Sequence, residues 1–261
     1  MAKRDIKQQV QTRFGEVAAN YLASAVHASG ADLEVMARNA PLRPGSVVLD
    51  AGCGAGHTAM AFAPDVARVY ACDFTGAMLK QVELLAKQRG AANVTPQLAD
   101  IEHLPFPDDK FDIVTSRYSA HHWQHPERAI DEIRRVLKDE GSFIISDIMA
   151  SEDYAQDTLL QTIELLRDPS HVRDYRISEW RALLSASGFR AELIHKFDLE
   201  LHFRKWTTRM ETPRQNREMI KSIFREASHD IRRGFQLPDR IDSDDFRFFI
   251  PGAVLKCQIQ V

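Results

Sequence analysis

The sequence predicts a doubly wound α/β protein built on a mainly parallel sheet, and three observations carry that expectation. The apolar run Val47-Val48-Leu49 ends in Asp50 and enters a turn with glycine at 52, 54 and 56. Short apolar strand segments alternate with helices that carry one apolar face. Acids stand at or just past the ends of the next two strand segments, at Asp73 and Asp100. Such alternation places helices on both faces of a parallel sheet. Ligands then bind beyond the carboxyl ends of its strands.

The first strand and its turn are the most informative stretch. Glycine is required where the backbone takes positive φ values and approaches a ligand closely. A helix starting near His57 would aim its N-terminal N–H groups at that ligand, which suits a carboxylate or phosphate. Asp50 adds a hydrogen-bond acceptor and attracts positive charge, so the pattern fits a ligand carrying both signs. Ala67–Cys72 reads as the second strand, with Val69 and Tyr70 as its strand formers, and ends at Asp73. An acid at that place in a βαβ unit suits both hydroxyls of a ribose.

The helix near 77–89 shows Met78, Leu79, Val82 and Leu85 on one face, with Gly90 as its stop. A third element spans Val94–Ile101, where Asp100 could accept from an adenine amino group while Ile101 packs on the ring. Leu104-Pro105-Phe106-Pro107 then turns the chain into a fourth strand, Phe111–Thr115. Pro126 opens a helix through Ala129, Ile130, Ile133, Val136 and Leu137 that is expected to end at Gly141. A buried strand follows over Ser142–Asp147. Ser178 is the expected N-cap of a helix ending at Gly188, before strands near Ala191–Phe197 and Val254–Val261. Neither an internal repeat nor a low-complexity linker interrupts this series.

Taken together, these segments resemble the class I S-adenosylmethionine (SAM) dependent methyltransferases. The nearest likeness is to the ubiquinone/menaquinone-biosynthesis-type small-molecule branch (methyltransferase type 11). It rests on Leu49–Gly56, on Cys72-Asp73, on Ala99–Phe106 and on Arg135–Gly141. It covers about Phe14 to Phe189 and fades beyond, and the order and spacing of the motifs make it specific.

The resemblance implies a Rossmann-like seven-stranded sheet and methyl transfer from SAM, leaving S-adenosylhomocysteine. Gly52, Cys53, Gly54 and Gly56 would shape the site for the methionine end of SAM, with Asp50 assisting. Asp73 would hold the ribose, Phe74 would adjoin it, and Asp100 with Ile101 would take the adenine. The backbone near Arg117 would meet the methionine amino group. Tyr21 resembles a family residue that reaches the SAM carboxylate; it reads equally as an ordinary tyrosine of an amphipathic helix.

Two other function classes stay open on sequence alone. One is an NAD(P)-dependent oxidoreductase. A dinucleotide fingerprint starting at Gly52 fails at His57 but survives from Gly54 as Gly54, Gly56 and Ala59, and Asp73 would serve NAD equally well. Against it stand Asp50, the Asp100-Ile101 pair and the lack of a second mononucleotide-binding half after residue 150. The other is a non-catalytic SAM-binding module.

Three segments lie outside the minimal sheet. Residues 1–40 read as a helical cover or lid with Phe14, Val17, Ala18 and Tyr21 on one face. On the resemblance, residues 41–261 would form the SAM-binding domain, with expected substrate-wall insertions near 151–176 and 200–250. The first of these carries Leu159, Leu160, Ile163 and Leu166, then a polar loop with Arg167, Asp168, His171 and Arg173. Binding residues favour such loops, so Arg167 and His171, with His27 of the cover, are candidate acceptor-binding residues. The nine Lys/Arg and four Asp/Glu between Arg204 and Arg233 read as a solvated helix face.

Methyl transfer demands alignment more than chemistry, and a base only where the acceptor must lose a proton. The candidates follow the fourth strand, in Ser116–His125. Histidine titrates in the useful range, and His121 or His122 is expected to act as base or as substrate-orienting group. Packing beneath the sheet is the competing reading for each. His125, just before Pro126, reads as part of a solvated helix start. No carboxylate completes a recognisable metal-ligand spacing with these three histidines, so no metal is expected. The Asn/Asp-Pro-Pro-aromatic run of base- and glutamine-methylating enzymes is not present in this loop, which points to a small organic acceptor.

Composition bounds the rest. A chain of 261 residues with 44% apolar and 27% charged content has the makings of a folded domain with a substantial core. A net charge of −3 gives no reason to expect a nucleic-acid partner. Eighteen consecutive apolar residues occur nowhere, so no membrane insertion is expected. Met1–Gln8 lacks the apolar core of a signal peptide. The three cysteines read as free thiols of a reducing compartment, with the cytoplasm as default. The acceptor, the atom methylated and the oligomeric state are not legible.

Overall fold

The computed structural model describes residues 6–22 and 28–260. Seven strands form one sheet in the order β3-β2-β1-β4-β5-β7-β6. In chain order they are β1 (Val47–Ala51), β2 (Arg68–Asp73), β3 (Val94–Leu98), β4 (Phe111–Arg117), β5 (Leu137–Ile148), β6 (Phe189–His202) and β7 (Arg247–Ile259). The first five pair in parallel, while β7 runs antiparallel to both β5 and β6. The order reverses between β1 and β4, and there the carboxyl ends of the strands leave a crevice.

The helices are α1 (Ile6–Leu22), α2 (Ala31–Asn39), α3 (His57–Phe62), α4 (Gly76–Arg89), α5 (Pro126–Val136), α6 (Tyr154–Arg167), α7 (Ile177–Ala186), α8 (Phe203–Arg209), α9 (Arg214–Glu226) and α10 (His229–Gly234). Side chains alternate along each strand and feed two cores. Leu49, Val114, Phe143 and Leu255 meet Ile130, Ile133, Trp180 and Leu184 on one face. Val48, Val69, Ile113 and Ile144 meet Met36, Phe62 and Val82 on the other. None of the described helices is long and apolar enough to cross a membrane.

A third core stands on the carboxyl side of the sheet. It joins Leu159, Leu160 and Ile163 of α6 to Trp206, Ile220, Phe224, Phe235, Phe246 and Phe248. The segment after β6 is therefore not only a solvated face: α9 buries Ile220 and Phe224 against α6. Lys221 ties it back through Asp244 at 2.6 Å, and Arg225 donates to the Ile241 carbonyl at 2.8 Å. Its basic residues partly serve as such ties.

Several boundaries differ from the sequence reading. Helix α5 stops at Val136, because Leu137 turns extended and pairs with Phe111; the register then slips before Ser142. Helix α7 is capped by Arg176 with Glu179 reaching back to its N–H, whereas Ser178 bonds Glu152. The third strand ends at Leu98, leaving Asp100 in an isolated bridge with His103. Strand β7 starts at Arg247, because the β6–β7 ladder runs from Phe189↔Ile259 to His202↔Arg247 and lifts the helical insertion over the crevice.

Candidate functional site

The glycine turn is bound to the sheet from both sides. Its three glycines all lie at positive φ (72°, 50° and 91°). At Gly52 a Cβ would stand 1.9 Å from Ser119 Oγ, so glycine is fixed there by contact with the loop after β4. At Gly54 nothing lies within 4 Å of the Cβ position. There the protein itself supplies only the φ constraint, and the free space is open to a ligand. Asp50 is buried behind the turn, where Oδ2 accepts the Ala59 N–H at 2.9 Å and Thr115 Oγ1 lies 3.3 Å from Oδ1. Burial lifts its pKa to about 7, against those hydrogen bonds. It fixes the start of α3 and does not line the cleft below.

Asp73 ends β2 facing the same turn. Its Oδ2 accepts the Gly54 N–H at 3.0 Å and its Oδ1 the Thr75 N–H at 2.8 Å. A carboxylate oxygen has more than one acceptor site, so each keeps capacity for a further donor. Burial shifts this carboxyl upward, opposed by the two backbone N–H groups. Cys53 is buried beside it, its thiol pushed up by burial and then by Asp73.

Three spaces meet in the crevice. A cleft of about 650 Å³ is lined by Val10, Phe14 and Tyr21 of α1 and by Gly52, Cys53, Gly54, Asp73, Phe74, Met78, Arg117, Tyr118 and His122. A slot of about 400 Å³ continues past Asp73 and Phe74 between Ala99, Ile101, Leu104 and Trp123. A chamber of about 500 Å³ opens on the other side, walled by Tyr118, His121, Glu164, Arg167, Asp174, Leu199, Trp206, Arg209 and Ile250. His122 lines all three.

Asp100 is not among the residues lining these spaces. Lys7 of α1 bridges it and Glu102, both at 2.6 Å. Helix α1 thus closes the cleft from above, pinned at its start by Lys7. At its end Tyr21 Oη donates to Met210 Sδ at 3.1 Å, and Asn20 reaches the Arg209 carbonyl.

Arg117 enters as a side chain as well as by its backbone. Its guanidinium grips Asp32 of α2 at 2.5 and 3.0 Å, both side chains being under 5% exposed, and Ser146 Oγ also donates to Asp32. The next residue, Tyr118, takes φ +50°, a strained conformation for a bulky residue that costs ~1–3 kcal/mol. Such strain collects at functional sites, and here it sets the tyrosine between cleft and chamber.

The two histidines have opposite environments. His121 Nδ1 donates to Asp147 Oδ1 at 2.7 Å. Asp147 also accepts the Ala120 and Ile148 N–H groups, both at 2.8 Å, which fixes its orientation. Burial opposes charge on His121, but Asp147 outweighs it and raises the pKa to about 9. His122 donates Nδ1–H to the Ser170 carbonyl at 3.1 Å, leaving Nε2 4.0 Å from Asp168 Oδ2. Burial and then the neighbouring His121 charge lower it to about 4. Environments that push two titratable groups apart mark acid and base roles.

Of the other expected residues, Arg167 reaches the chamber. It is buried, with Nε on the Trp206 carbonyl at 3.2 Å and Nη1 on Glu164 at 3.1 Å. His171 is turned to Gln161 Oε1 at 3.0 Å and does not line the three spaces; burial lowers its pKa strongly. His125 is partly exposed beside Glu127. His27 lies outside the described residues.

Sequence reasoning missed Asp32, Tyr118, Asp147, Glu164, Asp174 and Arg209. Only Asp147 carried a signal, an acid near the end of a strand like Asp50 and Asp73. Among the described residues His121, Asp147 and Asp174 bring potential metal-ligand atoms within 4.8 Å of one another. Asp147 already spends its oxygens on His121 and two backbone N–H groups, which suits a hydrogen-bonded cluster better than a cation site.

Comparison with known proteins adds a lineage to this geometry. A methyltransferase domain family matches residues 49–145. The chain is similar to the uncharacterized methyltransferase YcgJ of Bacillus subtilis, 40% identical over 86% of this chain and 89% of that protein. The solved YcgJ structure superposes with a TM-score of 0.85 over 88% of this chain and 98% of that one. It is also 38% identical to YafE of Escherichia coli over 71% of this chain and 90% of that protein. A ubiquinone/menaquinone biosynthesis C-methyltransferase, UbiE of Paraburkholderia phytofirmans, is 33% identical over 55% of this chain and 61% of its own length.

Proposed function

The chain belongs to the SAM-dependent methyltransferases, and on that footing we propose that it moves the methyl group of SAM to a small organic acceptor seated in the chamber beside the cleft. The observation that carries this reading is the meeting of cleft and chamber at Tyr118 and His122. A donor and an acceptor placed on either side of that junction face each other, and holding them aligned can supply ~7–11 kcal/mol.

The residues present fit the cofactor. Asp73 keeps acceptor capacity for ribose hydroxyls, and the open Cβ direction of Gly54 leaves room for the methionine end. Phe74, Ile101 and Trp123 offer flat apolar walls to adenine. Asp100 would take the adenine amino group by exchanging Lys7 for it. Tyr21 and the backbone at Arg117 border the methionine end, the Asp32 ion pair holding that backbone still. Bound SAM supplies an electrophilic methyl group on a positively charged sulfur that becomes neutral on transfer.

His122 is then the proton acceptor. It is neutral at physiological pH, its tautomer is set by Ser170, and Nε2 carries the free lone pair. His121 is the charged partner, kept as imidazolium by Asp147 and suited to hold negative charge on the acceptor. Arg167, at the far wall, would orient a polar end of the acceptor. Helix α1 excludes water once the cofactor is seated.

The test is S-adenosylhomocysteine release across an acceptor panel of phenols, carboxylic acids and amines, with His121→Ala and His122→Ala beside the parent chain. Both variants are expected to lose turnover by ~10²-fold or more, well beyond any loss of SAM affinity. Turnover unchanged in both would remove the histidines from the mechanism.

A further inference from the structure

Asp174 is a buried carboxyl with an unsatisfied oxygen: its side chain is 1% exposed and lines the chamber, and among the described residues Oδ2 has no hydrogen-bond partner. His171 Nε2 stands 3.8 Å from that oxygen and is turned to Gln161. Buried polar groups are almost always paired, so an orphan needs a reason. Its position is not accidental slack. Gln161 clamps its backbone on both sides, donating to the Asp174 carbonyl at 2.7 Å and accepting its N–H at 3.1 Å. The two residues before it are docked on His121, since the Val172 and Arg173 N–H groups both donate to the His121 carbonyl.

That framing brings an Asp174 oxygen within 4.8 Å of a His121 ring nitrogen. Nδ1 of His121 is taken by Asp147, so Nε2 is the ring atom left to offer. One oxygen bonded at ~2.8 Å to each of two donors spans donors up to ~5.6 Å apart, a reach comparable to the separation of this carboxyl from the His121 ring.

Building on the acceptor chamber assigned above, we propose that Asp174 is a positioning residue: its carboxyl and His121 Nε2 both donate to one oxygen of the acceptor, which binds as an oxyanion. The acceptor class is therefore a compound with an acidic hydroxyl or enol, whose proton passes to His122 Nε2 as the oxyanion forms. For Asp174 to donate it must hold its proton, and burial drives it that way. His121 and Arg167 oppose this, while Glu164 and Asp147 reinforce it. A carboxylic acid kept neutral to bind an oxyanion is an established device.

The experiment uses 4-nitrophenol as probe, whose ionised form absorbs differently from the neutral one. It is titrated into the full chain, with and without saturating S-adenosylhomocysteine, at a pH one unit below its free pKa. The bound probe is expected to absorb as the phenolate. Asp174→Asn, which keeps an N–H donor, should retain binding, and Asp174→Leu should weaken it ~10-fold, each with unchanged affinity for S-adenosylhomocysteine. Probe bound as neutral phenol by the parent chain, or held equally by the Leu variant, would overturn the proposal. So would probe binding that appears only when Mg²⁺ or Zn²⁺ is added, since a cation would then occupy the gap. The ionisation state in the parent chain decides the matter even where the Leu variant does not fold. Lack of S-adenosylhomocysteine binding sinks the cofactor reading alone, because the arm without it still reports on Asp174.

Discussion

Replacing Asp147 by Asn should cut the His121 pKa from about 9 to below the ordinary histidine value. The carboxylate is the main group holding the proton there, and the burial that remains favours the neutral ring. A folded-state pKa of about 9 against the ordinary 6.5 corresponds to ~3 kcal/mol of preference for the charged ring in the folded protein. Because the folded value is the higher one, this stabilisation is fully present below pH 6.5. It declines as pH rises and is gone above about pH 9. The assay is urea unfolding of both proteins from pH 6 to 10, with imidazole NMR to follow His121 directly. The parent chain should lose ~3 kcal/mol more than the variant across that window. Parallel stability curves, or an unmoved His121 midpoint, would refute the reasoning that Asp147 sets the charge.

Other outcomes follow from the same geometry. Asp73→Ala should weaken SAM binding ~10- to 100-fold, by the loss of charged acceptors for the ribose; a folded variant with undiminished affinity in calorimetry would end that assignment. Gly54→Ala has room for its methyl group but must hold φ +50°, so it should cost ~1–2 kcal/mol of stability and lose SAM affinity far beyond that. Equal binding by this variant would show that the turn does not touch the cofactor. Arg117→Met strands Asp32 at 3% exposure and should destabilise by ~3–5 kcal/mol. The double variant with Asp32→Leu should recover most of this in chemical denaturation, and no recovery would mean that Arg117 acts through something other than the pair.

Much of the sheet was legible because strand and helix periodicities are local. Val47–Leu49, the three glycines and Asp73 announce themselves within a few residues of one another. What stayed hidden was mostly tertiary. Asp50 stands where an acid could meet a ligand, and that its carboxyl also accepts the Ala59 N–H nine residues on is a contact no local pattern shows. Helix α5 ends at Val136 because Leu137 finds Phe111, a partner that propensity does not reveal. Asp147 and His121 lie 26 residues apart, and Arg117 meets Asp32 across 85, so neither pair has a spacing to read. Asp174 looks like one more charge of a polar loop until the clamp of Gln161 and the docking on His121 are seen. The basic stretch after β6 misled in the same way, since Lys221 and Arg225 fasten a helix whose apolar face supplies a third core.

The central claim is that the crevice between β1 and β4 holds SAM. Calorimetric titration of the full chain with SAM, S-adenosylhomocysteine, NAD and NADP tests it most directly. The account predicts micromolar binding of the two adenosyl-sulfur compounds and none of the dinucleotides, with the first two lost in Asp73→Ala. Binding of a dinucleotide alone would contradict it.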